Sequence, residues 1–336
     1  MKVLVLGGSG YIGSRLCAML ADSTWVSAVS GSRRATASAS TVRVDSTDAA
    51  SMKRALRGMD AVVNCVAGSA PAIAQGAHVL VQAANEVGCQ RIVHLSTMSV
   101  YGAFEGEAHE DTPRDPSIGW YAKAKCDAED AIAAFATHGG SVVMLRPGCV
   151  WGPGSELWVG RIGRLLHARR LGDLGAAGDG WSNLVSVDDV CAAIVASLGM
   201  EARGAPLVYN LAAPDSPRWN DYFVDLALAI GATPVRRLSP RQLQFDARLA
   251  SPALKLAQIA LTKARRGSRH LPDPLPPGLL GVFERQLHLR GDRARQALGW
   301  RCTPYTEVLR SAATWFMSND PVRTGAAQRT LQVPPT

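Results

Sequence analysis

The opening segment of the chain constrains its fold more than any other feature. Residues 2–13 read KVLVLGGSGYIG, in which the apolar run 3–6 is followed at once by glycines. This partly β-branched run predicts a buried parallel strand. Gly7 permits a tight turn, Gly10 lets the backbone approach a phosphate, and Gly13 lets a following helix pack against the sheet. We therefore interpret the segment as a strand, turn and helix that bind the pyrophosphate of a dinucleotide.

Apolar strands then alternate with helices through the first half of the chain. A helix at 11–21 would present free N–H groups and its positive dipole end to the phosphates. Further strands are predicted at 25–29, 41–44, 60–68, 91–97 and 141–148, and further helices at 50–56, 76–87 and 120–136. This order predicts the α/β class with a Rossmann-like, doubly wound parallel sheet and a smaller, mostly helical C-terminal lobe. We place the dinucleotide-binding domain at residues 1–150, with sheet contributions from about 183–212, and the substrate lobe at 151–336.

The net charge of +8 belongs to the C-terminal third. Residues 1–200 hold 17 Lys and Arg against 18 Asp and Glu, whereas residues 201–336 hold 19 against 10. In this basic lobe, residues 245–270 combine helix-forming apolar residues with a basic end. The segment predicts either a lobe helix packed over the substrate site or an amphipathic helix in peripheral contact with a membrane. The basic end lacks interleaved aromatic residues, so we expect no nucleic-acid partner.

Cysteine usage and hydropathy bear on the cellular compartment. Seven cysteines are scattered without a C-x-x-C pair, which is typical of reduced thiols in a cytoplasmic protein. No charged segment followed by an apolar stretch precedes the first strand, so we expect no secretory signal. No run of about 18 or more apolar residues occurs, so we expect no spanning helix. We assign no metal ligands.

Three residues in the middle of the chain are candidates for catalysis. Tyr121 and Lys125 stand four apart in a predicted helix, which places both side chains on one face. A neighbouring ammonium favours the phenolate and would lower the pKa of the tyrosine, so the pair predicts a general acid–base couple at a carbonyl or carbinol carbon. Thr97 ends the fifth predicted strand, at the sheet edge where ligands bind in doubly wound folds. We expect it to hydrogen-bond the same substrate oxygen.

The order of these landmarks resembles the extended short-chain dehydrogenases/reductases, the NAD-dependent epimerase/dehydratase group. The resemblance covers nearly the whole chain and rests on GGSGYIG, VDSTD at 44–48, HLSTMSVYG at 94–102, YAKAK at 121–125, LRPGCVWGPG at 145–154, NLVSVDDV at 183–190, VYNLAAP at 208–214 and ALGW at 297–300. It implies that Tyr121 donates or accepts the proton, that Lys125 holds the nicotinamide ribose, and that Thr97 is the catalytic hydroxyl residue.

The same resemblance implies further cofactor contacts and an oligomeric state. Asp45 matches the residue that contacts the adenine, although capping of the next helix is the alternative. The other implied cofactor contacts are Tyr11, Ile12, Ala67 and Pro147. In this family the helices equivalent to 76–87 and 120–136 often form a four-helix dimer interface, so we expect a homodimer.

The turn after the second predicted strand bears on the choice of nicotinamide cofactor. An NAD site places a carboxylate there, which accepts hydrogen bonds from both ribose hydroxyls. Here the turn reads SGSRR at 30–34, and no acidic residue occurs between Asp22 and Asp45. Arg33 and Arg34 suit the 2′-phosphate of NADP(H), which we favour over NAD(H). A solvated basic loop is the alternative.

The resemblance leaves several reactions on a small-molecule substrate open. Dehydratases of the family place acidic residues directly after the catalytic threonine, whereas Met98 and Ser99 stand here. Epimerases usually carry an asparagine near the position of Cys149. Residues 145–154 look more like the steroid-dehydrogenase and flavanone-reductase branch. We therefore expect an NADP(H)-dependent oxidoreductase that acts on a carbonyl or secondary alcohol of a small or hydrophobic metabolite. A sugar-nucleotide epimerase and a non-catalytic NADP-binding protein are the alternatives.

Overall fold

The computed structural model describes residues 1–33, 40–202, 204–263 and 272–319. The chain divides into two compact units, each assembled from three separate segments. The first unit contains residues 1–148, 185–214 and 287–302, and the second contains residues 149–184, 215–286 and those from 303 onwards.

A seven-stranded sheet forms the centre of the first unit. Its strands are β1 (Lys2–Leu6), β2 (Ser27–Ser32), β3 (Thr41–Arg43), β4 (Ala61–Asn64), β5 (Arg91–Leu95), β6 (Ser141–Pro147) and β7 (Leu207–Leu211). The spatial order is β7-β6-β5-β4-β1-β2-β3, and every neighbouring pair is parallel. The strand order reverses direction at β1, so the predicted Rossmann-like, doubly wound sheet is confirmed.

Helices flank this sheet and make up most of the second unit. The helices of the described residues are α1 (Tyr11–Leu20), α2 (Ala49–Leu56), α3 (Ala70–Val87), α4 (Trp120–Thr137), α5 (Arg161–His167), α6 (Val187–Leu198), α7 (Trp219–Ile230), α8 (Pro240–Phe245), α9 (Ser251–Lys263), α10 (Pro277–Phe283), α11 (Asp292–Leu298) and α12 (Tyr305–Asn319). In the first unit, α2, α3 and α4 pack on apolar side chains of the sheet such as Leu4, Val62 and Ile92, which are fully buried.

The second unit has an aromatic core of its own. Trp219 and Phe223 of α7 lie within 6 Å of each other and of Phe283 in α10, measured between ring centroids. These three side chains are fully buried. The unit is mostly helical, as the sequence predicts. Of the amphipathic segment at 245–270, the structure describes residues 245–263 and the rest lies outside the described residues.

Several boundaries differ from the sequence-based predictions. The second strand was expected at 25–29, but β2 spans Ser27–Ser32, because its backbone pairs with β1 from Lys2↔Ser27 to Leu6↔Gly31. Backbone pairing needs no apolar side chains, so the strand runs on through a polar stretch. The helix expected at 76–87 begins already at Ala70, where Pro71 suits its first turn.

Residues 287–302 join the first unit through contacts that the sequence pattern does not reveal. The short strand Leu287–Leu289 pairs in parallel with another short strand, Gly106–Ala108. Trp300 is buried, and its indole N–H donates to the carbonyl oxygen of Asp189 in α6, at 2.7 Å. This part of the C-terminal third therefore contributes to the first unit.

A buried ion pair joins α4 to the sheet in the same unit. Arg146 of β6 donates from Nε and Nη2 to the two carboxylate oxygens of Glu129, at 2.9 and 2.7 Å. Its Nη1 donates to the Tyr101 hydroxyl oxygen at 2.9 Å and to the carbonyl oxygen of Glu110 at 3.0 Å. The Tyr101 hydroxyl in turn donates to Oδ1 of Asn210 at 2.6 Å. The helix that carries Tyr121 and Lys125 is thus bonded to two strands.

Two findings bear on the predicted compartment. All seven cysteines lie among the described residues and are free thiols. Within the described ranges, no helix is both long and apolar enough to cross a membrane.

The close approach of α1 to the preceding turn predicts opposite effects for two glycine substitutions. A Cβ at Gly13 would lie 2.3 Å from the carbonyl oxygen of Gly7, whereas a Cβ at Gly281 in α10 would meet nothing within 4 Å. We expect Gly13→Ala to lower the free energy of unfolding by about 1–3 kcal/mol, because the turn must shift. Gly281→Ala, the matched control, should raise it by about 0.5–1 kcal/mol. Urea unfolding followed by circular dichroism measures both, and a Gly13→Ala protein as stable as the parent would contradict the packing argument.

Candidate functional site

A cavity of about 210 Å³ opens at the carboxyl ends of β1, β2 and β4. Its lining residues are Leu6, Gly7, Ser9, Gly10, Gly31, Ser32, Arg33, Val44, Ser46, Cys65, Val66, Ala67 and Ala72. Four predicted cofactor residues are among them, namely Gly7, Gly10, Arg33 and Ala67. Ligands of doubly wound folds bind at this edge of the sheet.

The glycine-rich turn shapes one wall of this cavity. Gly7 has a φ of +77°, and a Cβ there would lie 2.8 Å from the carbonyl oxygen of Cys65. Gly10 precedes α1 and gives the helix no side-chain cap, so the first N–H groups of α1 keep their capacity to bind an anion. Gly8, which the sequence analysis did not single out, is as constrained, because a Cβ there would lie 2.3 Å from Oγ of Ser30.

The described lining of this cavity contains one charged side chain and three serine hydroxyl groups. Among the described lining residues, Arg33 carries the charge and no carboxylate is present. Ser9, Ser32 and Ser46 supply hydroxyl groups, which the sequence analysis missed because serine at the end of a strand is an unspecific signal. Arg34 lies outside the described residues.

Asp45 is exposed just after β3 and does not cap the next helix. Its Oδ1 accepts hydrogen bonds from the backbone N–H and the hydroxyl of Thr47, at 3.0 and 2.8 Å, and these bonds hold the pKa of the carboxyl below its ordinary value. Asp48 caps α2 instead, by accepting from the N–H groups of Ala50 and Ser51. The capping alternative for Asp45 is therefore wrong, while its contact with the adenine stays a prediction.

The remaining predicted cofactor residues lie at the ends of elements near the sheet edge. Tyr11 and Ile12 begin α1, with Gly13 after them, and Pro147 is the last residue of β6. None of these four contributes to the cavity lining. Their contacts with a cofactor stay predictions.

Helix α4 brings Lys125 against the wall of the cavity. The Lys125 ammonium is buried and donates to the carbonyl oxygen of Leu95 at 2.7 Å and to that of Val66 at 3.4 Å. Val66 lines the cavity, so the ammonium lies directly behind its wall. Thr97 follows β5 and caps the short 3-10 helix Met98–Tyr101, where its Oγ1 accepts from the N–H of Ser99 at 3.2 Å.

Burial controls the protonation of the candidate catalytic pair. It raises the pKa of Tyr121 above its ordinary value, while a hydrogen bond with Thr97 acts in the opposite direction. Burial also lowers the pKa of Lys125 to about 8, against the opposing influence of Cys65 and Glu129. The expectation that Lys125 lowers the pKa of Tyr121 is wrong, because the ammonium donates to main-chain carbonyls and burial dominates at the phenol.

A buried polar pair on neighbouring strands lies beside this site. Nδ2 of Asn64 on β4 lies 3.1 Å from Nδ1 of His94 on β5. Burial and the nearby Lys125 ammonium lower the pKa of His94 well below its ordinary value. The imidazole is therefore neutral at neutral pH, and its Nδ1 accepts from the Asn64 amide.

Two curated proteins show related sequences over part of their length. Protein YeeZ of Escherichia coli (strain K12) is 31% identical over 144 residues, which cover 43% of this chain and 47% of YeeZ. The 2-alkyl-3-oxoalkanoate reductase of Stenotrophomonas maltophilia (strain K279a) is 30% identical over 223 residues, which cover 60% of this chain and 66% of the reductase. The chain thus spans about half the length of YeeZ and just under two thirds of the reductase.

Solved structures are similar over almost the whole chain. MoeE5 in complex with UDP-glucose and NAD has a TM-score of 0.69 at 22% identity, covering 99% of this chain and 100% of MoeE5. RMD from Pseudomonas aeruginosa complexed with NADPH has a TM-score of 0.69 at 19% identity, covering 95% of this chain and 99% of RMD. At these identities the likeness shows a common fold.

A family model extends this likeness to the level of sequence. The model of the NAD dependent epimerase/dehydratase family matches residues 3–212, which hold the glycine-rich turn, the seven strands of the sheet apart from Lys2, and the Tyr121–Lys125 pair. The match spans more than half of the chain. The chain therefore belongs to the NAD dependent epimerase/dehydratase family.

Proposed function

We propose that this chain is an NADPH-dependent reductase that acts on the carbonyl group of a hydrophobic metabolite, with Tyr121 as the proton donor. Family membership supports an NAD(P)-dependent enzyme in general. The observation that carries the proposal is the placement of the Tyr121 phenol beside Thr97 and one helical turn from Lys125, in surroundings whose burial raises the pKa of the phenol. A protonated phenol is the form that reduction of a carbonyl requires.

The first unit carries backbone and side-chain groups that suit a nicotinamide dinucleotide. Gly7 and Gly10 keep side chains away from the start of α1, whose uncapped N–H groups suit a pyrophosphate. Lys125 lies behind the cavity wall at Val66, where it would hold the nicotinamide ribose. When bound, the nicotinamide supplies the hydride.

The preference for NADPH rests on the charge of the cavity. A 2′-phosphate needs a cation, and Arg33 lies in the lining, whereas the described lining residues include no carboxylate for the ribose hydroxyls of NAD. An arginine donates charge-assisted hydrogen bonds to a phosphate in a fork geometry. Arg34 is the next residue in the sequence, and we propose that it takes part in the same contact.

Three residues divide the proton chemistry of the proposed reaction. As hydride reaches the carbonyl carbon, negative charge develops on the oxygen, and the Tyr121 hydroxyl transfers its proton there. Thr97 holds that oxygen in line and also hydrogen-bonds the phenol. Lys125, charged below a pH of about 8, would hold the nicotinamide ribose through its ammonium.

The surroundings of Tyr121 support an apolar substrate. The Trp120 ring packs edge-on against the Tyr121 ring, with 5.7 Å between centroids, and is 59% exposed. Phe104 and Ile118 are also exposed, and Asp115 joins their two loops by accepting from the N–H of Ala103 at 3.2 Å. The name of the related 2-alkyl-3-oxoalkanoate reductase indicates a substrate with alkyl chains. We therefore propose a 3-oxo acid with alkyl chains as the substrate class.

We further propose that the protein is a homodimer through α3 and α4. A surface groove runs between these two helices and is lined by Ala74, His78, Val81, Gln82, Asp127, Asp130, Ala131 and Ala134. Three of its eight lining residues are alanines, which allow the helices of a second copy to approach closely.

The first prediction concerns the proton donor. NADPH oxidation is measured by the loss of NADPH absorbance with a panel of 3-oxo acids, ketones and sugar nucleotides. We expect the enzyme to oxidise NADPH when the substrate is a 2-alkyl-3-oxo acid. Tyr121→Phe should lower kcat by about 10²–10⁴-fold while NADPH binding survives, because the ring remains and the proton does not. Tyr209→Phe, a phenol on β7, is the matched control and should leave kcat unchanged.

Two outcomes would contradict the reductase proposal. One is a Tyr121→Phe enzyme whose kcat stays within about threefold of the parent value. The other is interconversion of a sugar nucleotide without net NADPH consumption, which would establish the epimerase alternative.

The second prediction concerns cofactor choice. Protein fluorescence titration should give at least about tenfold tighter binding of NADPH than of NADH, because the 2′-phosphate meets Arg33 and Arg34. Arg33→Ala/Arg34→Ala should remove the preference by weakening NADPH alone. Arg43→Ala on β3, exposed and outside the lining, is the control. Equal affinities for both cofactors in the parent protein would refute the assignment.

The third prediction concerns assembly. Light scattering at micromolar concentration should give the mass of two chains, and Ala134→Arg should give that of one, because the long charged side chain fills the groove. Ala50→Arg on α2, also exposed, should leave the dimer intact. A parent protein that scatters as a single chain would rule out this interface.

A further inference from the structure

Residues 240–263 of the second unit are helical throughout and present two different faces. Helix α8, a π-helical turn at Asp246–Ala250 and α9 follow one another without a break, because the residues that join them have helical backbone angles. Ser239 and Gln242 form a capping box at the start. The segment is therefore a long helix with a defined beginning.

The inner face anchors this helix to its own unit. Leu243, Ala247 and Ser251 are buried. The Ser251 hydroxyl accepts a hydrogen bond from the N–H of Leu275 at 2.6 Å. Asp246 lies on the same side, where its Oδ2 accepts from Nε of Arg170 at 2.7 Å.

The outer face is an apolar row without cover among the described residues. Phe245, Leu249, Leu256 and Ile259 are between 44% and 68% exposed. Their spacings of four, seven and three residues place them on one side of the helix. They span about 21 Å at the rise of 1.5 Å per residue. Single exposed apolar residues are ordinary, but a row of this length marks an interaction surface.

A row of cations lies beside the apolar row. Arg241, Arg248 and Lys255 are exposed and recur every seventh residue, so they share one edge of the outer face. None of the three has an ion-pair partner among the described residues. Asp246, the single acidic residue of 240–263, is turned inward and neutralised by Arg170. The outer face is therefore apolar and positively charged at once.

We propose that this face of residues 241–260 binds the surface of an anionic membrane. A helix that lies in the bilayer interface buries an apolar face among acyl chains and extends Lys and Arg to the lipid phosphates. A second copy of the chain would bring two cationic rows together, which repel each other. Because none of the described helices can cross a bilayer, the contact is peripheral. This membrane contact does not depend on the reaction that the first unit catalyses.

Vesicle flotation of the full chain tests the proposal. The chain should bind vesicles of phosphatidylcholine with about one third phosphatidylserine at least about tenfold more strongly than vesicles of phosphatidylcholine alone. Raising the salt concentration from about 0.1 M to about 0.5 M should weaken that binding several-fold.

Paired variants separate the apolar row from the cations. Leu249→Gln/Leu256→Gln and Arg248→Gln/Lys255→Gln should each reduce binding by about tenfold or more, because the interface needs both contributions. Leu228→Gln is the matched apolar control, since Leu228 is 60% exposed on α7. Arg301→Gln/Arg310→Gln is the matched charge control, because it removes two positive charges from residues outside the helix 240–263. Both controls should bind as the parent does, and circular dichroism checks that every variant folds.

Several results would overturn the proposal. One is that the parent protein does not bind the anionic vesicles at low salt. Another is that the Leu228 control or the Arg301/Arg310 control loses as much vesicle binding as the variants of the outer face. The parent protein could also bind polyglutamate as tightly as it binds vesicles, and Leu249→Gln/Leu256→Gln could leave that binding unchanged. This result would identify a site for acidic polypeptides instead of a membrane surface. Loss of a dimer in the same leucine variant, without vesicle binding by the parent, would identify an interface between copies.

Discussion

The ion pair between Arg146 and Glu129 determines where the candidate catalytic residues lie. Both groups are buried, so each charge has lost its water and needs compensation, and Glu129 also accepts from Nη1 of Arg114 at 3.3 Å. Removing Glu129 would leave the Arg146 charge buried without a carboxylate partner, a loss that costs about 3–5 kcal/mol. A sliding movement of α4 along β6 would break the same bonds. The pair therefore holds the helix in one register, one turn away from Lys125.

This constraint links the catalytic helix to the electrostatics of the site. Glu129 raises the pKa of Lys125 and so offsets part of the lowering that burial causes. The carbonyl oxygens of Leu95 and Val66 accept hydrogen bonds from the ammonium at 2.7 and 3.4 Å. The contacts of Lys125 therefore depend on the packing of α4 against the ends of β4 and β5.

The sequence was sufficient for features that depend on local spacing. Glycines 7, 10 and 13 follow an apolar run, and Tyr121 and Lys125 stand one helical turn apart, so the turn and the shared helical face were predictable. The partners of Lys125 were not, because Leu95 and Val66 lie 30 and 59 residues away in the chain. The strand Leu287–Leu289 has only three residues, and its partner Gly106–Ala108 is equally short. Neither has enough alternation to be recognised.

Burial acts on Tyr121 and Lys125 in opposite directions, and this asymmetry bears on the direction of the reaction. A buried phenol resists ionisation, so Tyr121 holds its proton at neutral pH, whereas a buried ammonium tends to lose its own. Below a pH of about 8, the site therefore contains a neutral Tyr121 phenol and a charged Lys125 ammonium. That state suits delivery of a proton to a substrate oxygen. Oxidation of an alcohol would need the phenolate at the outset, which burial disfavours. Together with Arg33 in the cavity lining, this protonation state supports the proposed reduction with NADPH.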